Sequence, residues 1–227
     1  MNLPNISSTR PTKAIVRESF FNTLQAEING AHFIEVFSGS ASMGLEALSR
    51  GAKSAVFFEQ NKNAYATLLE NISLFKNRLK KEIEIQTFLD DAFKLLPALC
   101  LKNGVLNILY FDPPFETSGF LGIYEKCFQA LERLLKRFNP KNLLAVFEHE
   151  SAHEMPKSLV TLAIIKQKKF GKTTLTYFQN RNRHGRRTRK YRATTSQKKQ
   201  SPFICHYRKR VSDAFIGGGD YHAAYGE

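Results

Sequence analysis

Short apolar runs alternate along the chain with longer stretches whose apolar positions recur every three or four residues. The first pattern predicts buried strands and the second amphipathic helices. His32–Phe37 is then a first strand, followed by a helix over Ser42–Ser49 that ends at Arg50-Gly51. Ser54–Phe58 is a second strand, with a long helix from Asn61 to about Lys76 behind it. Ile83–Thr87 is a third strand and Ala92–Leu101 a helix. Val105–Phe111 is a fourth strand, Leu121–Arg137 an amphipathic helix stopped by Asn139-Pro140, and Leu143–Phe147 a fifth strand. Leu159–Lys168 and Thr173–Phe178, split by Phe170-Gly171, close the order as an antiparallel pair. Ahead of all these, Thr12 reads as the N-cap of a helix from Lys13 to about Gln25, with Ile15, Val16, Phe20, Phe21 and Leu24 apolar.

Strands and helices alternating in this way predict an α/β fold: a mostly parallel seven-stranded sheet with an antiparallel closing pair and helices on both faces. In such sheets ligands bind beyond the carboxyl ends of the strands, near the point where strand order reverses. Three segments are expected: an N-terminal segment and entry helix over 1–30, the α/β domain over 31–180, and a tail over 181–227. From Arg181 to Lys190 the tail is basic and polar without apolar periodicity, and it runs on to Gly217-Gly218-Gly219. That composition predicts disorder, as a basic arm for RNA or a non-native extension.

Charge alters the picture only in that tail. Its 12 Lys and Arg face three acidic residues, whereas residues 1–180 hold 22 against 17. The domain is mildly basic, so the overall charge of +14 is weak evidence for nucleic-acid binding by the folded part. Cys100, Cys127 and Cys205 are too scattered for a disulfide framework or a zinc site and suit a reducing compartment. No apolar stretch reaches the ~18 residues of a membrane span. The first residues lack the basic-then-apolar order of a secretory signal, so the chain is expected to be cytoplasmic.

The most specific chemistry follows the fourth strand. Asp112-Pro113-Pro114-Phe115 falls where that strand empties into a loop at the rim of the sheet. Asp112 can accept a hydrogen bond from an –NH2 group. The prolines fix their own φ and hold the preceding residues extended, so the loop offers carbonyl acceptors in a stiff frame. Phe115 supplies a face on which a nucleobase can stack, worth roughly 1–3 kcal/mol. The plainer alternative is a Pro-Pro turn ending in a core Phe.

The first strand leads into Glu35-Val36-Phe37-Ser38-Gly39-Ser40-Ala41-Ser42-Met43-Gly44. Gly39-x-Ala41-x-x-Gly44 nearly matches a dinucleotide fingerprint, and Glu59, 20 residues past Gly39, stands where a ribose-binding carboxylate belongs. Both NAD and S-adenosylmethionine use this arrangement. Three features favour S-adenosylmethionine. Ala41 replaces a glycine that lets backbone approach pyrophosphate. Glu35 would repel pyrophosphate but suits a positive ammonium and sulfonium. The Asp-Pro-Pro-Phe loop has no task in hydride transfer. Glu35, Phe37, Ser38, Gly39, Glu59, Gln60, Asp91 and Ala92 are the expected cofactor residues, with Asp112 at the shared edge. Asp90 and Asp91 equally suit N-capping of the helix after them. Glu148-His149-Glu150 with His153-Glu154 has a metal-like spacing, but it leaves a strand and meets Met155-Pro156. It reads as a polar rim loop.

Arg10-Pro11-Thr12 with Val16-Arg17-Glu18-Ser19-Phe20-Phe21-Asn22-Thr23-Leu24 resembles the entry helix of the RsmD family, bacterial enzymes that methylate a guanine N2 amine in 16S ribosomal RNA. Phe37-Ser38-Gly39-Ser40 through Gly44-Leu45-Glu46-Ala47-Leu48-Ser49-Arg50-Gly51-Ala52 resembles that family's cofactor loop and helix. Asp112-Pro113-Pro114-Phe115 resembles its catalytic motif. The likeness covers roughly residues 9–180, with the three blocks in order.

The resemblance implies a Rossmann-like class I S-adenosylmethionine-dependent methyltransferase. Its substrate would be a 16S ribosomal RNA guanine in the small ribosomal subunit, and the enzyme a monomer without a metal. Asp112, Pro113 and Phe115 are then catalytic, and Arg10, Thr12, Lys13, Arg17, Pro114 and Phe115 contact RNA. Ala41 and Glu35 depart from the family's usual Gly and Asp. The family's basic strand pair ahead of Arg10-Pro11-Thr12 has only nine residues of room here. The alternatives are adenine-N6 methylation, where Asn in place of Asp112 is common, and a non-catalytic cofactor-binding RNA module.

Overall fold

The computed structural model describes residues 11–79, 82–138 and 141–180, with side chains from Lys13 onward; Arg10 and the 181–227 tail lie outside them. The chain order is α1 (Pro11–Thr23), β1 (His32–Glu35), α2 (Ser42–Ser49), β2 (Ser54–Glu59), α3 (Lys62–Arg78), β3 (Glu84–Leu89) and α4 (Ala92–Leu95). It continues with β4 (Asn107–Phe111), α5 (Ile123–Arg137), β5 (Leu143–Glu150), β6 (Ser158–Leu159), β7 (Leu162–Phe170) and β8 (Thr173–Asn180).

Local chemistry sets several of these limits. Helix α1 begins at Pro11, where a missing N–H costs nothing, so Thr12 lies inside the helix and is not its cap. Asn61 caps α3 by accepting from the Asn63 and Ala64 N–H groups at 2.9 and 3.1 Å. The helix expected over Ala92–Leu101 is shorter. Pro97 has no N–H to extend it, and α4 passes into a 3₁₀ turn over Leu96–Ala98.

The strands form one sheet in the order β3-β2-β1-β4-β5-β8-β7-β6. The five strands from β3 to β5 are parallel, β8 runs against β5, and β7 against β8. An eighth strand joins the expected seven, because a turn at Val160 splits off the two-residue β6. Strand order reverses between β1 and β4, which are paired neighbours.

Side chains alternate across the sheet, so each face has its own core. Phe33, Tyr110, Val146, Leu175 and Tyr177 pack with Val16, Phe20 and Phe21 of α1 and with α2 and α3. Ile34, Leu109, Phe111, Ala145 and Phe147 pack on the other face with α4 and α5. Phe20 stands edge-on to Phe33 and Tyr110, with ring centroids 6.1 and 5.1 Å away. Such pairs add about 0.5–1.5 kcal/mol each beyond burial, and here they seat α1 across β1 and β4. Lys13, Val16 and Phe20 share a helix face, so the same seating carries Lys13 over the rim of the sheet. Among the described residues no helix is long and apolar enough to cross a membrane.

Candidate active site

The loops leaving β1 and β4 emerge side by side at the strand-order reversal. After β1 the chain passes through Gly39 at φ 49° and Ala41 at φ 66°, both left-handed, before α2 starts. The side of Gly39 where a Cβ would project is open space. Glu59, ending β2, accepts the Gly39 N–H at 2.8 Å on one carboxylate oxygen and the Asn61 N–H at 2.8 Å on the other. One side chain therefore ties the turn after β1 to the start of α3. Ser38 is buried and donates to the Glu35 carbonyl at 2.9 Å. Phe37 is half-buried, edge-on to Phe93 at 5.8 Å.

Four polar side chains line the other half of the rim, on the sheet face that α1 covers. Tyr110 and Asp112 are two residues apart at the end of β4. Glu148 lies beside them because Phe111 is in register with Phe147 of β5. Tyr110 donates its hydroxyl hydrogen to Glu148 Oε2. Lys13 Nζ donates to Asp112 Oδ2 and lies 3.4 Å from Glu148 Oε1. Glu148 is 3% exposed, Asp112 24% and Lys13 50%.

The electrostatics follow that placement. Burial raises the Glu148 carboxyl above its ordinary range, and Asp112 adds to the rise against the pull of Lys13 and Tyr110. Burial alone would depress the Lys13 ammonium, but Asp112 and Glu148 outweigh it and hold it raised. Burial, with Glu148 and Asp112 nearby, pushes the Tyr110 hydroxyl well above its usual value.

The Asp112–Phe115 loop is pinned from behind. Pro113 is buried, Pro114 exposed and Phe115 half-buried. Glu150, at the end of β5, accepts from the Glu116 N–H at 3.1 Å and from the Thr117 hydroxyl. Its own N–H donates to the Tyr124 hydroxyl at 3.1 Å. His149 bridges the Thr176 hydroxyl and the Glu150 carbonyl, each at 2.8 Å, so both its ring nitrogens are engaged within the sheet edge.

Several expected site residues also make contacts within the chain. Glu35 is held by backbone of the following helix. It is 3% exposed, and its carboxyl accepts from the Gly44 N–H at 2.8 Å and the Met43 N–H at 3.4 Å. The unpaired N–H groups of a helix start are the nearest donors, and they claim it. Burial pushes that carboxyl up to about 8 despite the two N–H groups. Lys13 was expected to reach RNA phosphate. It turns instead to Asp112 and Glu148, because two poorly solvated carboxylates attract an ammonium. Asp91 caps α4 through the Phe93 N–H at 2.8 Å, with Ala92 buried behind it. Gln60 is exposed and Arg17 partly so. The sequence reads Tyr110 only as strand and Glu148 and Glu150 as part of a polar rim loop, whereas β5 runs on to Glu150; none of the three stands out in the sequence as a site residue. Their period-two spacing along β4 and β5 is the only local signal.

Comparison with known proteins gives this geometry a lineage. The Bacillus subtilis protein named "Putative rRNA methyltransferase YlbH" is 27% identical over 177 residues, covering 77% of this chain and 90% of that protein. "Ribosomal RNA small subunit methyltransferase D" of Escherichia coli K12 is 31% identical over 130 residues, 57% of this chain and 60% of that one. The solved structure named "Putative methyltransferase yhhF from Escherichia coli" superposes with a TM-score of 0.59 at 27% identity, covering 79% of this chain and 90% of that one. The family described as "Conserved hypothetical protein 95" matches residues 1–179. With that match over a Rossmann-like methyltransferase sheet, the chain belongs to the Conserved hypothetical protein 95 family, that of the RsmD methyltransferases.

Proposed function

We propose that this chain methylates the exocyclic N2 amine of a guanine in 16S ribosomal RNA, with S-adenosylmethionine as donor. The observation that carries the reading is Asp112. Its carboxylate sits partly exposed at the carboxyl end of β4, next to the glycine turn across the strand-order reversal. The names of the Bacillus and Escherichia relatives supply the ribosomal RNA class.

The residues present fit the donor. Gly39 leaves open space above the turn. Each Glu59 oxygen accepts one N–H and keeps a lone pair for a ribose hydroxyl. Asp91 caps α4 through Oδ1 and keeps Oδ2 for an adenine amine. When bound, S-adenosylmethionine supplies a methyl group made electrophilic by the adjoining sulfonium.

The chain's own residues do the rest. Guanine N2 is a poor nucleophile because its lone pair is delocalised into the ring. Asp112 and the Pro113 carbonyl accept its two N–H bonds, orient the nitrogen, and stabilise the positive charge that develops on it. Holding the amine in one geometry gives the proximity contribution, the larger part of the acceleration. Phe115 stacks the extruded base, and Pro114 borders it. Asp112 Oδ1, which Lys13 leaves untouched, takes the proton that the methylated nitrogen sheds. Arg10 and Arg17 remain the candidate phosphate contacts.

The test is labelled-methyl transfer onto small ribosomal subunits and onto naked 16S RNA, followed by nucleoside digestion. The expected product is N2-methylguanosine. N6-methyladenosine, or no incorporation into either substrate, refutes the reading.

A further inference from the structure

We infer that Lys13 is a positioning residue for the reaction, orienting Asp112 rather than holding RNA. The inference rests on the reading of Asp112 as the amine acceptor.

The geometry is a closed circuit of polar contacts. It leaves β4 at Tyr110, whose hydroxyl donates to Glu148 of β5. Glu148 meets Lys13 of α1 at 3.4 Å, and Lys13 donates back to Asp112, two residues from where the circuit began. Three members are set by different elements: Tyr110 by β4, Glu148 by β5 and Lys13 by α1. Tyr110 and Glu148 are almost wholly buried. Lys13 is carried by the helix that Val16, Phe20 and Phe21 lock onto the sheet.

Asp112 alone could not hold this position. It lies past the last strand residue, and its side chain is partly solvated and free to turn about two torsions. An acceptor that aligns an amine must keep one oxygen in a fixed direction. Lys13 binds Oδ2 and so commits the carboxylate plane, leaving Oδ1 for substrate. Glu148 keeps the ammonium from swinging into water, and Tyr110 keeps Glu148 from turning toward Asp112, which it would repel. Among the described residues Lys13 is the cation paired with both carboxylates.

A phosphate contact and a positioning role make opposite kinetic predictions. Lys13→Met should lower kcat about tenfold to a hundredfold, the scale of a small misplacement of a reacting group. KM for RNA and the affinity for S-adenosylhomocysteine, read by calorimetry, should change by less than about threefold. Lys13→Met/Glu148→Gln removes the carboxylate that the first substitution leaves unpaired, and it should fold normally while remaining as slow. Lys13→Arg should recover part of the rate. Lys13→Met added to Asp112→Ala should cost nothing more than Asp112→Ala alone, because the lysine acts through that carboxylate.

A raised KM for RNA with kcat unchanged makes Lys13 a phosphate contact and overturns the inference. So does a Lys13→Met loss that multiplies with that of Asp112→Ala. If Asp112→Ala itself keeps turnover, the amine-acceptor reading fails and takes the positioning role with it. If Asp112→Ala is dead and Lys13→Met is fully active, only the positioning role fails.

Discussion

Gly44 in α2 has no room for a methyl group, and Gly44→Ala tests how the cofactor turn is held. A Cβ built there would lie 2.3 Å from Cε1 and 2.6 Å from Cζ of Phe57, and 3.0 Å from a Glu35 carboxylate oxygen. Carbon atoms rest about 3.5–4.0 Å apart, so the overlap exceeds 1 Å. Phe57 is fully buried on β2 and cannot swing away. The helix must lift or the ring must leave its rotamer. Overpacking of this kind costs about 1–3 kcal/mol, and sharp overlap with a locked ring belongs at the upper end. Alanine returns about 1 kcal/mol in helix propensity. The net loss is about 1–2 kcal/mol. For a domain of this size that lowers Tm by about 2–8 °C. Lifting α2 also draws the Gly44 N–H off Glu35 and shifts Gly39–Ala41, so affinity for S-adenosylhomocysteine should fall with stability. Thermal unfolding by circular dichroism and calorimetric titration read the two effects. Adding Phe57→Leu should recover part of both, since it removes the atoms that collide. An unchanged Tm and affinity in Gly44→Ala, or no recovery in the double variant, would sink the reasoning.

Three further outcomes follow from the same site. Asp112→Ala should abolish methyl transfer nearly completely while S-adenosylhomocysteine binding largely persists; equal loss of both makes Asp112 chiefly a cofactor ligand. Glu35 has its folded pKa raised from 4.5 to about 8, so the native state binds the extra proton. The contribution of Glu35 to stability should then fall as pH rises through that window, by up to about 1.4 kcal/mol per pH unit. Glu35→Gln should remove that falling contribution from urea-unfolding stabilities between pH 5 and 8; Glu148 contributes in the same direction, whereas His32, lowered by burial to about 4, and His149 contribute a rise with pH below about 6.5. A profile identical to the parent's contradicts the assignment. Ala41→Gly relieves a left-handed alanine, worth about 1–2 kcal/mol. It gives back about 0.4–1 kcal/mol in chain entropy and about 0.8 kcal/mol for the buried methyl. Its stability should stay within about 1 kcal/mol of the parent by urea unfolding, and a loss above about 2 kcal/mol refutes the balance.

What could be read from the sequence was local. The apolar run into Asp112-Pro113-Pro114-Phe115 names a strand and the loop it feeds. The spacing from Gly39 to Glu59 places the turn and its carboxylate, and in the fold that carboxylate accepts the Gly39 N–H. Glu148 is legible only as part of a polar rim stretch, because its place beside Asp112 depends on register. Only with Phe111 beside Phe147 does a residue in a polar stretch become the neighbour of Asp112. Lys13 reads as a solvated or phosphate-facing charge, since its partner Asp112 is 99 residues away in the chain. Val160 turns the chain at φ 55° with no glycine or asparagine to announce it, so β6 merges with β7 in any reading of pattern. Pro97 does announce the end of α4, and its missing N–H outranks the apolar spacing that continues to Leu101.

The short strand created by that valine turn has a bearing on association. Among the described residues, strand β7 pairs with β6 only through Leu162 and Ala163, and much of its far side has no strand partner. A long, flat, apolar border of this kind would invite another polypeptide to extend the ladder. Here the border carries Lys166, Lys168 and Lys169 and is irregular between Ile164 and Lys166. An incoming strand would have to run beside these lysines along an irregular template, which disfavours extending the ladder there.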